Sequence, residues 1–265
     1  MSIPSDLTRV VAFACTRDDN EKVKTIGSGF IIALPSVNQR MLHFYYATAA
    51  HVVDGVNNIS IQVTGTSNTV EYIEINRSEW CFLKDTSVDV AIAPLPITID
   101  DTSYHKAYVI ENFIDDDCKN LYLGDPVYFI GLLSIIEAMR QNNIPMVRYG
   151  TVGALNQCDV PVMGHGGVKM ANAHLIDCRS AKGFSGAPCF VQNPANGRTR
   201  LLGLVSGHFD ESAAVNFRGS EVADISATVS MNAGVGVITP AKYLKELLMD
   251  PHLVEQRRLN EYRLT

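Results

Sequence analysis

Lys182-Gly183-Phe184-Ser185-Gly186-Ala187-Pro188 is the stretch on which the reading turns, because it offers a nucleophile already set in its own oxyanion hole. A serine with glycines close on both sides suits a tight, exposed turn, where the N–H groups of Gly183 and Ser185 converge on one developing negative charge. A hydroxyl alone is a poor nucleophile. It needs a base within hydrogen-bond reach, and the base needs a third group to hold its tautomer. Two candidates precede it in order: His51, in Thr48-Ala49-Ala50-His51-Val52-Val53, and Asp89, in Ser87-Val88-Asp89-Val90-Ala91-Ile92.

Size and composition permit such a site. A chain of 265 residues that is 46% hydrophobic holds one large domain or two small packed ones with a sizeable core. A formal net charge of -6 gives no basic footprint for nucleic acid. The first residues carry a proline and an acid before their apolar run and no basic region, which does not read as a signal peptide. No apolar run reaches the length of a membrane span. The six cysteines, Cys15, Cys81, Cys118, Cys158, Cys178 and Cys189, are scattered singly without metal-ligand spacing. They read as mostly buried free thiols in a reducing compartment, so the expected location is cytoplasmic, with no membrane association.

Taken outward from the nucleophile, short apolar runs between turn residues predict strands. Residues 10–34 read as strand, turn, strand. Residues 41–50 form a third run that delivers His51 at its end, where a rigid element meets a cleft. Alternation resumes at 59–63 and 70–75. Asp89 enters an apolar run; an acid among Val and Ala is costly to bury unless it is paired, and an imidazole N–H suits it. The local pattern also fits a surface aspartate at a strand entrance. Residues 94–117 are irregular and acidic, ending in Asp115-Asp116-Asp117, and mark the interdomain connection; the triple Asp reads as a solvated loop, with no metal site.

Strands are again expected at 127–131, at 146–155, and at 173–178 after a His165-Gly166-Gly167 loop. Residues 132–143 suit a loop with a helical turn or two, over or beside the cleft. A hairpin follows the nucleophile, with its turn at 193–198. Residues 211–232 read as a polar surface excursion. A last strand at 234–238 leads to a helix over 241–249 with Thr239 as N-cap and Pro240 at N1, and residues 253–264 read as a solvated helical tail. His43, His105, His165, His174 and His252 fit ordinary surface or core roles, and Cys178 and Cys189 fit packing.

Together these residues resemble the trypsin-like, chymotrypsin-fold serine peptidases, and within them the minimal bacterial domains similar to the HtrA/Deg branch. The resemblance spans roughly residues 10–248. It rests on Gly27-Ser28-Gly29-Phe30-Ile31-Ile32, on the His51 and Asp89 segments, and on Gly124-Asp125 before a strand. Tyr149-Gly150-Thr151-Val152, Asp177, Gly183-Phe184-Ser185-Gly186-Ala187-Pro188 and Gly234-Val235-Gly236-Val237-Ile238-Thr239-Pro240 complete it. Each anchor is weak alone; His, Asp, Ser in this order and spacing is a strong joint signal.

The resemblance implies an all-β fold of two six-stranded antiparallel β-barrels with the active site between them and a C-terminal helix. Residues 1–105 would form the first barrel, with His51 and Asp89. Residues 106–240 would form the second, with Ser185, and 241–265 the helix and tail. It implies a serine endopeptidase acting through His51, Asp89 and Ser185, with Gly183 and Ser185 as oxyanion donors, a protein or peptide as substrate and no cofactor. A binding or sensing module that keeps the fold and docks a partner in the cleft is the alternative.

Two departures stand out. Vertebrate-type members carry an Asp just before the nucleophile, which pairs with a newly cut N-terminus; Phe184 stands there, so packing or a regulatory loop must order the turn. The specificity pocket would have Arg179 and Ser180 at its base and Ser206 and Gly207, with His208, along its wall. No Asp lies at that base, which disfavours Lys or Arg. Arg179, Ser180 and His208 would suit an acidic side chain; if Arg179 points away, a small or apolar one is taken. With no PDZ-like module after the helix, regulation is expected from the loops, the tail after Pro251, or a protein partner.

Overall fold

A computed structural model of the chain describes residues 3–36, 41–65, 69–99, 103–114, 118, 120–133, 136–164, 167–179, 183–192, 197–215 and 227–264. A short helix α1 (Ser5–Thr8) leads into strands β1 (Val11–Arg17), β2 (Val23–Pro35) and β3 (Leu42–Thr48), a helical turn α2 (Ala50–Val53), and then β4 (Ile59–Thr64), β5 (Val70–Ile75), β6 (Cys81–Phe82), β7 (Ala91–Pro94) and β8 (Tyr108–Val109). Aromatic and β-branched side chains crowd these segments, and such residues pack best on a pleated surface. Phe30, Ile31 and Ile32 of β2 are wholly buried, as befits a strand covered on both sides.

These strands form one eight-stranded sheet in the order β5-β4-β1-β2-β3-β7-β6, with β8 added to β2. Every pairing on the path is antiparallel; β8, which falls just past residue 105, joins β2 in parallel. This unit therefore holds more strands than the six that the resemblance implies; the two-residue pieces β6 and β8 are the shortest of them.

The second unit comprises β9 (Pro126–Gly131), helix α3 (Glu137–Gln141), β10 (Met146–Gly164), β11 (Gly167–Asp177), β12 (Pro188–Gln192), β13 (Thr199–Val215) and β14 (Ala227–Pro240). Its strands close into a barrel in the order β10-β11-β14-β13-β12-β9, which leaves no unpaired edge. Two helices follow, α4 (Ala241–Leu248) and α5 (Pro251–Leu264). The overall architecture is thus two antiparallel β units with a C-terminal helix, as the resemblance implies. One continuous core joins them, running from Leu7 and Phe13 through Phe129, Phe184 and Phe190 to Leu248 and Leu253. Among the described residues no helix is long and apolar enough to cross a membrane.

Two local expectations are corrected and a third takes a definite form. Glu211, Ser212 and residues 228–231 lie exposed at the surface as expected, and they do so as strand: β13 and β14 run on as a paired hairpin, with Glu211 opposite Met231 and Ala213 opposite Val229. Cross-strand pairing holds these segments together, and Thr228-Val229-Ser230-Met231-Asn232 alternates polar and apolar as a strand does. Thr239 does not cap α4; β14 runs on to Pro240, which pairs with Gly203, and the Thr239 hydroxyl bonds the Ser206 hydroxyl instead. The tail α5 is not simply solvated, since Leu253 and Arg257 are buried. Arg257 donates from Nη1 to the Tyr45 hydroxyl at 3.0 Å and from Nη2 to the Leu248 carbonyl at 2.8 Å. Helix α3 rests on β4, where the Gln62 amide donates to the Arg140 carbonyl at 2.8 Å. The Asp115-Asp116-Asp117 run, His165-Gly166 and residues 193–196 of the predicted hairpin turn lie outside the described residues.

The β13–β14 approach yields a stability prediction. A Cβ on Gly203 would collide with the Thr239 carbonyl oxygen and sit 2.8 Å from Cγ2 of Ile238. Backbone cannot yield as a side-chain tip does, so Gly203→Ala is expected to lower unfolding free energy by at least about 2 kcal/mol, read from the urea midpoint at unchanged slope.

Candidate active site

Strand β3 ends at Thr48, and α2 begins two residues later, so His51 stands at the end of a buried strand. Val52 and Val53 of α2 turn into the core, which leaves the imidazole at the surface of the unit with 27% of its side chain exposed. Asp89 lies just before β7 with its carboxylate wholly enclosed. Both carboxylate oxygens are used by one residue: Oδ1 accepts the His51 backbone N–H at 2.9 Å, and Oδ2 accepts from His51 Nδ1 at 2.7 Å. The burial cost of an acid among Val88, Val90 and Ala91 is thus offset by two hydrogen bonds. Because the carboxylate only accepts, the proton sits on Nδ1 and Nε2 keeps its lone pair.

The electrostatics of His51 are a contest. Burial disfavours the charged imidazolium, but the Asp89 hydrogen bond and charge outweigh it, and the net shift is upward from the ordinary value of 6.5. The sequence alternative of a surface aspartate at position 89 does not hold, since the residue is only 2% exposed.

Ser185 sits on the turn between residue 183 and β12. The turn is pinned peptide by peptide. The Ala187 N–H donates to the Phe184 carbonyl at 2.9 Å and the Gly186 N–H to the Val205 carbonyl at 2.7 Å. The Ser185 carbonyl accepts the Ser28 N–H of β2 at 2.9 Å. Gly186 has a φ of +83°, and a Cβ there would collide with the Ser28 carbonyl and the Thr48 hydroxyl, so only glycine lets the turn lie this close to β2 and β3. Thr48 in turn donates its hydroxyl to the Ser28 carbonyl at 2.7 Å. The strand that delivers His51 and the turn that carries Ser185 therefore meet on the same β2 residue.

Phe184 is fully buried. Its ring meets Phe129 edge to face at a centroid distance of 5.2 Å, and the Arg148 guanidinium lies 5.5 Å above it. Arg148 also donates to the Arg179 carbonyl at 2.9 Å. Packing thus orders this turn where the departure from the vertebrate-type pattern left no ion pair.

The remaining predicted residues are distributed as follows. Gly183 adopts a φ of +98°, and its carbonyl accepts from the Ser28 hydroxyl at 2.6 Å. Arg179 is exposed. Ser180 lies outside the described residues. Ser206 is buried, its hydroxyl paired with Thr239; Gly207 faces open space; His208 sits with Nε2 3.3 Å from Oδ1 of Asp210.

Of the other candidates, His105 uses both ring nitrogens, on Arg9 and Thr64, and burial pulls its pKa down to about 4. His174 is likewise buried, with a pKa near 4. Burial raises the Cys178 thiol to about 11 and lifts that of Cys189 well above its ordinary value, so neither is a ready thiolate. Ser28 and Arg148 are the residues the sequence reading passed over. The signal for Ser28 was present: a lone hydroxyl between two glycines, just before the apolar run Phe30-Ile31-Ile32 of β2.

The residues gathered here can be set against known proteins. No curated protein matches the chain. A family model described as a trypsin-like peptidase domain matches residues 27–204, well over half of the 265 residues, and this span holds His51, Asp89 and Ser185. A β-rich chain with two antiparallel units, a buried carboxylate orienting a histidine and a serine on a glycine-bounded turn, matched over this length, belongs to the trypsin-like peptidase family.

Proposed function

We propose that the protein is a serine endopeptidase that cleaves peptide bonds through an acyl-enzyme. His51 takes the proton of Ser185 as its oxygen attacks the carbonyl. Asp89 holds the imidazole with Nε2 free and stabilises the imidazolium that forms, and the N–H groups of Gly183 and Ser185 receive the oxyanion. His51 then returns its proton to the leaving amine, and water repeats the sequence on the ester. The observation that carries this reading is the double hydrogen bond of Asp89 to His51, which has the geometry of a base held by an orienting acid.

The specificity pocket is proposed to take a small or apolar side chain. Two of its expected polar walls are already engaged, Ser206 with Thr239 and His208 with Asp210, and Asp210 would repel an acidic side chain brought to His208.

Labelling by a fluorophosphonate probe tests the nucleophile. Wild-type protein is expected to label and Ser185→Ala to remain unlabelled; equal labelling of the two overturns the assignment, and a wild type that neither labels nor cleaves a peptide library favours the binding-module reading. In the active protein, kcat/KM is expected to rise with pH through a single ionisation with its midpoint above 6.5, because protonated His51 cannot accept the serine proton and Asp89 favours that protonated form. Asp89→Asn should move this midpoint down and lower kcat by about 10³–10⁴-fold; an unmoved midpoint contradicts the role of Asp89. Cleavage in the library is expected after small or apolar residues, and dominant cleavage after Glu, Asp, Lys or Arg overturns the pocket reading.

A further inference from the structure

Ser28 is wholly buried in β2 and belongs to the first unit, yet three of its four polar contacts among the described residues reach the second. Its amide donates to the Ser185 carbonyl at 2.9 Å. Its hydroxyl donates to the Gly183 carbonyl at 2.6 Å and accepts the Leu132 N–H at 2.7 Å. Its own carbonyl accepts the Thr48 hydroxyl at 2.7 Å, three residues before His51. The hydroxyl is therefore held in one orientation: its single proton is directed at Gly183 and one lone pair at Leu132.

These contacts bear unequally on the turn. The Phe184 carbonyl is held within the turn by Ala187, and the Phe184 ring is locked in the core. The Gly183 carbonyl is different, because it is gripped by a side chain from the other unit and sits on a glycine at φ +98°. Glycine has low barriers to alternative backbone conformations, so nothing intrinsic to residue 183 fixes the 183–184 peptide. The Ser28 hydroxyl does. Ser28 thereby holds the carbonyls on either side of Phe184, which sets the path of the backbone through the oxyanion segment.

We propose that Ser28 is a positioning residue: its hydroxyl holds the 183–184 peptide in the orientation required for turnover and sets the Ser185 turn in register with the strand that carries His51. This rests on the peptidase reading above and adds the means by which that site is kept assembled. Ser28 does not touch the reacting atoms. It acts through Gly183 and Ser185, with a hydrogen bond across two β units standing where the vertebrate-type pattern uses an ion pair at the position of Phe184.

The test replaces the hydroxyl alone. Ser28→Ala keeps the backbone bonds to Ser185 and Thr48 and leaves the Leu132 N–H and Gly183 carbonyl unsatisfied. Active sites are counted by fluorophosphonate titration, so that misfolded protein is excluded, and kcat per titrated site is measured on a cleaved peptide. The expected result is a fall of about 10²-fold, comparable to the loss of one oxyanion donor, with KM little changed and the affinity for a peptide boronic acid falling in parallel with kcat/KM. Ser28→Cys, which retains a weak donor and acceptor, is expected to lie between and serves if the alanine variant does not fold. A rate per titrated site within about twofold of wild type, whatever the loss in melting temperature, overturns the proposal. If the wild type itself neither labels nor cleaves, the peptidase reading fails on its own. The crystal structure of Ser28→Ala then decides the positioning role: a turned 183–184 peptide with Phe184 still buried supports it, and an unmoved Gly183 carbonyl overturns it.

Discussion

The contact on which the molecule depends is the seating of the Ser185 turn against β2. Two backbone-scale bonds define it, the Ser28 amide on the Ser185 carbonyl and the Thr48 hydroxyl on the Ser28 carbonyl. They leave no room for a side chain at Gly186. Directional bonds at a close approach fix relative position far more tightly than apolar packing, which tolerates sliding. The two β units also share a hydrophobic core, but that core alone would not fix the Ser185 turn against the strand start that Thr48 also meets.

Around this contact the charged and apolar groups divide the work. Asp89 is enclosed in the first unit and gives both oxygens to His51, so one buried carboxylate fixes the ring plane, the tautomer and the backbone entry to α2. Phe184 does the corresponding job in the second unit with no charge of its own. Its ring fills the space between Phe129 and the Arg148 guanidinium, and a buried aromatic contact of this kind is present whenever the chain is folded. An ion pair with a new N-terminus would appear only after cleavage. The turn is therefore assembled by folding itself.

Much of this was legible. The apolar runs ending at Thr48 and starting at Ala91 marked the strands that carry His51 and Asp89, and the glycines around Ser185 marked a turn, because period-two alternation and glycine punctuation are local properties of a chain. The differences share a cause. Residues 211–215 and 227–232 mix polar with small apolar side chains, and their cross-strand partners make them strand. Thr239 has the composition of a helix cap but remains in β14, where Ser206 competes for its hydroxyl. Arg257 looks like a surface charge on a polar helix, yet it is buried against Tyr45 from a strand more than two hundred residues earlier.

By itself the sequence determined the β-rich class and the order of His51, Asp89 and Ser185, since these follow from residue type and spacing; that Phe184 stands where a charge is found elsewhere follows from the resemblance. The tertiary structure alone decided which polar groups share hydrogen bonds. Ser28 reads as a small residue in a glycine-bounded strand start, and its weight comes from Gly183, Ser185, Leu132 and Thr48, which are distant in the chain and adjacent in the fold. Hydrogen bonds depend on ångström-scale direction and distance, and a one-dimensional pattern of polar and apolar residues carries neither.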